Sequence, residues 1–373
     1  MRSLLSMAII VDSHCDLAWN MLCFGRDYTR STAETRLREK GSLAVEVNGD
    51  TLIGWPDYQR GQVAMVFATL FAAPRRLREG AWDTLVYDSA EEAHAVYRRQ
   101  LDAYHELAET RSDFFRMVLS QNDLKEHLEV WGNPALPERP VGVVILMEGA
   151  DGIRDADELR EWHELGVRLI GLAWAGTRYS GGTKEPGPLT DEGRVLLGAM
   201  AELGFVLDLS HMDERSALEA LDIYEGPVAA SHVNCLALLP DFPTNRHFSD
   251  TVLRKLLERG GIIGSMPVNS FLKSGWSRKQ GSRREEVTLD DFAAHLDHVC
   301  QLAGNSLHSG IGSDFDGGFG LQSVPPEVDT VADLQKVVPL LEKRGYGPTD
   351  VSNILGGNWL RLLQTVLPGT AQA

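Results

Sequence analysis

The chain has 373 residues, 43% of them hydrophobic and 24% charged, with a net charge of -17, which is the composition of a soluble globular enzyme. That acidic balance argues against nucleic acid or an anionic membrane as partner, because phosphate binding needs clustered Lys and Arg; a small anionic substrate is still open to a local arginine. Cys15, Cys23, Cys235 and Cys300 are widely scattered with no Cys-x-x-Cys pair, so neither a disulfide framework nor a structural zinc site is expected.

The first element, "SMAIIVDSH", follows a start ("MRSLLSMAII") that is similar to a secretory leader but shows no small-residue cleavage site before "VDSHCD". No run approaches the ~18 apolar residues of a membrane span, and the tail carries no lipid-anchor signal, so a cytoplasmic protein without a membrane anchor is the expectation. Further apolar runs follow in order: "QVAMVFATLFA", "VGVVILMEG", "VRLIGLAWAG", "GFVLDLSH", "GPVAASH", "GIIGSMPVN" and "HSGIGSDFDGG". They are short, rich in Val and Ile, and nearly continuous, as strands buried on both faces should be. Between them lie amphipathic segments such as "SAEEAHAVYRRQLDAYHELAE", "DADELREWHEL", "DEGRVLLGAMAEL", "MDERSALEALDIY", "SDTVLRKLLERG" and "LDDFAAHLDHVCQLAG". Several open on a Ser, Thr or Asp cap and two close on glycine.

Eight strands alternating with helices predict a single (β/α)8 TIM barrel over residues 1–373, with loop insertions at the active-site face. A doubly wound open sheet with extra helices is disfavoured, because "GVVILMEGADG" has no GxGxxG and no phosphate-cradling loop of the required spacing. The long stretch Tyr28–Gly61, "FPTNRHF" and "NSFLKSGWSRKQGSRREE" are expected to shape the mouth of the site.

The strand ends collect chemistry. The first run ends in His14 and Asp16, the third in Glu148, the fifth in His211, the sixth in His232, and the eighth in Asp314 and Asp316. Each alone reads equally as a turn or core residue, but independent turn residues have no reason to gather at the same end of different strands. In a barrel those ends share one face, which carries active sites. Positions i and i+2 of a strand share a side, so His14 and Asp16 would aim inward and Cys15 outward. Imidazoles and carboxylates without thiolates suit zinc, with manganese or cobalt as substitutes. The set exceeds what one catalytic zinc uses; two ions about 3.5–4 Å apart, sharing a carboxylate, would use it all and would activate water for hydrolysis.

These residues, with "MEGADG", "LTDEGRVLLGAMAELGFVLDLSHM", "NRHFSD", "ERGGIIGSMPVNSFL" and "GGNWLRLL", make the chain resemble the membrane (renal) dipeptidase family of zinc peptidases over most of its length. The resemblance implies two zinc ions per chain, one held by His14, Asp16 and a bridging Glu148, the other by Glu148, His211 and His232. It implies peptide-bond hydrolysis of dipeptides by a metal-bridging hydroxide, with Asp314 as acid/base and Arg246 gripping the substrate carboxylate. It also implies tolerance of a D-residue in the second position, and a homodimer. One departure stands out: Trp174 in "LAW" replaces a histidine that the family places against the substrate. The alternative is another metal-dependent amide hydrolase of the amidohydrolase type, such as an N-acyl amino acid deacylase or a lactonase; many of those carry HxH where this chain has HxD.

Overall fold

Eight parallel strands close into one ring. In the computed structural model, which describes residues 8–369, these are β1 (Ile10–Cys15), β2 (Val63–Phe71), β3 (Val141–Glu148), β4 (Val167–Gly171), β5 (Val206–Asp208), β6 (Val228–Ala230), β7 (Ile262–Ser265) and β8 (Ser309–Ile311). Each pairs in parallel with the next, and β8 returns to β1 through Asp12 opposite Ile311. This is the expected (β/α)8 TIM barrel. The first seven residues of the leader-like start lie outside the described residues; Ile10 onward is barrel strand. Among the described residues, no helix is long and apolar enough to cross a membrane.

The helices between strands fall where the apolar periodicity puts them, at Ala90–Thr110, Leu159–Glu164, Asp191–Leu203, Glu214–Ile223, Asp250–Glu258 and Leu289–Ala303. Thr190 caps one by accepting from the Gly193 amide, and Gly204 ends it in the left-handed region at φ 77, where glycine carries no Cβ penalty. Two elements carry no signal that sequence reasoning could read. Phe115–Met117 adds a three-residue strand to the outer start of β3, too short to show a period. An antiparallel hairpin, Ser180–Gly182 with Glu185–Leu189, is built from "SGGTKEPGPL", whose glycines and prolines read as loop.

The barrel bore is packed at its floor by Val11, Met65, Phe67, Val144, Leu146 and Leu169, as buried parallel strands require. A closing helix, Asn358–Val366, plugs that end, with Trp359 edge-on to Phe67 at 5.4 Å. Higher up the bore turns polar: Ser13 Oγ donates to the carbonyls of Ser231 (2.6 Å) and Ile311 (2.9 Å). Gly312 is obligatory at this level, since a Cβ there would stand 1.9 Å from the Ser231 carbonyl oxygen.

Strand β1 does not alternate regularly. Asp12 pairs with Val66 but Cys15 with Ala68, so one extra residue sits in β1 between them. Val11 and Ser13 already point into the bore. Without the bulge Cys15 would be next; with it, His14 faces inward and Cys15 packs outside against Asp12 (3.5 Å) and Tyr58 (3.9 Å). The spacing rule thus reaches the right side chains through an irregularity that re-aims them, which is what bulges near active sites do.

Candidate metal centre

Five strand ends deliver their polar side chains to one bowl. His14 ends β1, and Asp16 follows as the residue capping the helix Leu17–Phe24. Glu148 is the last residue of β3. His211 and Asp314 lie in the turns after β5 and β8, both in the left-handed region at φ 67 and 56, a conformation that costs a non-glycine residue about 1–3 kcal/mol unless its surroundings enforce it. His232 follows β6 by two residues.

The distances describe one cluster. His14 Nε2 lies 3.4 Å from Glu148, 3.8 Å from Asp16 and 3.9 Å from Asp314. The other Glu148 oxygen lies 3.0 Å from His211 Nε2 and 3.5 Å from His232 Nε2. Two overlapping sets, His14–Glu148–His232 and His14–Asp16–Asp314, each bring their ligand atoms close enough to hold an ion. His14 and His232 are wholly buried, whereas Asp16, Glu148, His211 and Asp314 keep 6–7% exposure, so the bowl opens on its carboxylate side.

Outer hydrogen bonds fix the imidazoles. Ser231 Oγ donates to Asp208 at 2.5 Å and lies 2.8 Å from His232 Nδ1, so that nitrogen carries the proton and donates to Ser231. Thr183 Oγ1, at the hairpin tip, donates to the His211 carbonyl (3.3 Å) and faces His211 Nδ1 at 2.9 Å. With Ser231 and Thr183 on their Nδ1 atoms, both rings turn Nε2 into the bowl, 3.0 Å apart and within 3.5 Å of the same Glu148 oxygen. Among the described residues His14 has no hydrogen-bond partner on either nitrogen. A buried imidazole orphaned in this way, beside two whose rings are held by outer hydrogen bonds, fits a bound metal.

Electrostatics agree. Burial opposes charge on His14, yet the Glu148 carboxylate beside it raises its pKa to about 10. Burial would likewise raise Glu148, but His14, His211 and His232 hold it well below the carboxylate range. Burial, then the Arg246 charge, lower His211 to about 4. Burial lifts Asp314 well above its ordinary value, and Asp16 and Glu148 add to the rise. Perturbations in opposite directions within one bowl mark a functional site.

Arg246 is 3% exposed. Its Nη2 donates to the His232 carbonyl at 2.8 Å, while Nη1 has no partner; burial lowers its pKa. Among the described residues no carboxylate lies within ion-pair distance of it, so its charge is buried without a partner. Trp174 is half-buried, 6.2 Å from the His211 ring and 5.1 Å from Phe71. Gly317 crosses so close that a Cβ there would stand 2.1 Å from Asp314 and 2.5 Å from Asp16. Asp316 does not join the centre. It is fully buried elsewhere, paired with Arg26 at 3.0 Å and accepting from Tyr28, Thr51 and the Leu52 amide. His163, outside the bowl, packs edge-on to Phe205 at 5.4 Å.

The sequence matches the family described as membrane dipeptidase (Peptidase family M19) over residues 1–371. The chain belongs to the membrane dipeptidase family. An uncharacterized protein in the pqqA 5' region of Klebsiella pneumoniae is 29% identical over 278 residues, covering 72% of this chain and 95% of that protein. Dipeptidase tcpJ of Claviceps purpurea is 30% identical over 288 residues, or 73% of this chain and 61% of that longer protein. A metallo peptidase from Rhodobacter sphaeroides, solved with a phosphinate mimic of the dipeptide L-Ala-D-Ala, shares the fold with a TM-score of 0.75 and 22% identity, over 96% of this chain and 99% of that one. Membership makes this chain a metal-dependent hydrolase of the dipeptidase class, and the clustered His, Asp and Glu side chains above are a group that could hold a metal ion.

Proposed function

We propose that this chain hydrolyses dipeptides with two zinc ions held around Glu148, one completed by His14 and Asp16, the other by His211 and His232. The observation that carries the reading is the pair of Nε2 atoms on His211 and His232, each ring held at Nδ1 by Ser231 or Thr183 and turned toward Glu148. Zinc bound there supplies a water activated at neutral pH and polarises the carbonyl under attack. The named activities of the Claviceps relative and the dipeptide mimic in the Rhodobacter structure support the substrate class.

The chain's own groups then divide the work. Arg246 offers its free Nη1 to the terminal carboxylate of the dipeptide, and a planar guanidinium suits that partner. Asp314 faces the same centre as His14 and Asp16. From that position it accepts a proton from the attacking water and returns it to the leaving nitrogen. Trp174, with one N–H donor and no acceptor, contributes a wall beside His211. The same reading carries a cytoplasmic location, a homodimer and one domain over the whole chain as expectations.

A panel of dipeptides with L- and D-residues in the second position, run on zinc-loaded protein with elemental analysis, tests the proposal. Two zincs per chain with dipeptide turnover is the expected result. Two zincs without turnover of any dipeptide, alongside cleavage of an N-acyl amino acid or a lactone, would overturn it in favour of the deacylase or lactonase reading.

A further inference from the structure

The mouth of the barrel is divided by chemistry. Over the ends of β6 and β7 stands the cation: Arg246 is bonded to the His232 carbonyl, and its guanidinium lies 5.6 Å from the Phe271 ring. Over the ends of β1, β2 and β4 stand three aromatic side chains in a row. Trp19, just past Asp16, lies 6.4 Å from Phe71, and Phe71 lies 5.1 Å from Trp174. The metal-ligand set lies between the two halves.

The aromatic row abuts the reacting centre. Phe71 is the sheet partner of Glu148, which pairs on its other side with Gly171. Thr69, two residues back from Phe71, donates to Asp16, and strand alternation puts Phe71 on that same side, one step nearer the mouth. Trp174 begins where the Gly149 turn ends, its Cβ 3.8 Å from where a Gly149 side chain would start. The row is also rigid. Gln100 holds the Phe71 backbone at both its amide (3.1 Å) and carbonyl (2.7 Å), and Trp82 backs Trp19 at 5.8 Å. Phe71 and Trp174 nevertheless keep partial exposure, so their rings are not spent on the core.

Resting on the dipeptidase reading, we infer that Trp19, Phe71 and Trp174 form the subsite for the side chain of the substrate's N-terminal residue, and that it selects apolar and aromatic side chains. A dipeptide is only about 7 Å long. With its carboxylate on Arg246 and its scissile carbonyl over the ligand cluster, the N-terminal residue has to extend to the opposite half of the mouth. That half offers ring faces and edges for dispersion and aromatic contact, and a charged side chain placed there would lose solvation without a partner.

The test is a kinetic comparison in the zinc-loaded enzyme across two series, X-Ala and Ala-X, with X as Gly, Leu, Phe, Asp and Lys. Phe-Ala and Leu-Ala are expected to exceed Gly-Ala and Asp-Ala by about tenfold or more in kcat/KM, the discrimination apolar contacts provide. W174A and F71A should each flatten the X-Ala series several-fold while leaving the ranking in the Ala-X series in place, and W174L should keep much of the apolar preference. Thermal melting and zinc content identify any variant that fails to fold, in which case the other decides. A flat or charge-preferring X-Ala profile in the wild type, or a preference that survives both alanine variants, overturns the subsite while sparing the dipeptidase reading. Absence of turnover on every dipeptide takes both down together.

Discussion

Two buried aspartates, one residue apart in "GSDFDGG", do opposite things. Asp314 and Asp316 share a left-handed backbone, at φ 56 and 64, and a nearly complete loss of solvent. Asp316 is saturated: Arg26, Tyr28, Thr51 and the Leu52 amide all meet its carboxylate, and its carbonyl takes Asn20 and Asn48. Asp314 sits in a cluster of like charges and bare nitrogens with Arg246 left unpaired. A polar network whose every member is satisfied holds a fold together, whereas one left short is waiting for a ligand. The first ties the segment Tyr28–Gly61 to the barrel rim, and the second is the proposed reacting centre.

Substitutions should separate the two clusters. The largest effect is expected at Glu148: Glu148→Ala removes the carboxylate proposed to serve both zinc ions, and turnover should fall to background with loss of bound metal by elemental analysis. Asp314→Asn should keep the metal and lower kcat by about 10²–10⁴-fold, the usual worth of a general acid/base; retained kcat would place the proton transfer elsewhere. Asp316→Ala should act on the other axis. It removes one of the two carboxylates on Arg26, which keeps Glu39, and leaves the Tyr28 and Leu52 donors without their partner, about 1–3 kcal/mol for each buried group left unsatisfied, seen as a lowered melting temperature with turnover per folded, metal-loaded molecule largely kept. Arg246→Met should raise KM for dipeptides, lowering kcat/KM on the order of 10²-fold, and spare substrates whose carboxylate is amidated. Ser231→Ala and Thr183→Val should be the mildest, weakening metal affinity about 10–100-fold by releasing the imidazole tautomers.

Acidity sharpens the same contrast. His211 is held near 4, below its unfolded value, so in metal-free protein its contribution to stability is present above about 6.5 and is lost as pH falls toward 4. His14 is raised to about 10, so its contribution is full below 6.5 and disappears as pH climbs through 10. Metal must displace that His14 proton. Zinc uptake at pH 7–8 should therefore release protons, measured by calorimetry in two buffers of different ionisation enthalpy, and His14→Ala should reduce the number.

The sequence makes the ligand cluster legible because barrel geometry converts distant strand ends into neighbours: His14, Glu148, His211 and His232 lie where their runs stop. The short runs "DLSH" and "ASH" even contain the orienting groups, Asp208 and Ser231, that hold His232. Asp316 was not legible as structural, since its partners Arg26, Tyr28 and Thr51 belong to a segment with no strand signal. Thr183 was hidden for a related reason, sitting in a hairpin whose composition reads as loop. The bulge in β1 was equally invisible, because one added residue leaves no trace in an apolar run.

Ring closure also dictates when this centre can exist. His14 and Asp314 stand near opposite ends of the chain and meet only once β8 docks on β1. A polypeptide still emerging from the ribosome therefore lacks part of the ligand set until almost all of it has been translated. A prematurely terminated product that lacks β8 has neither the closed ring nor the Asp314 side of the cluster.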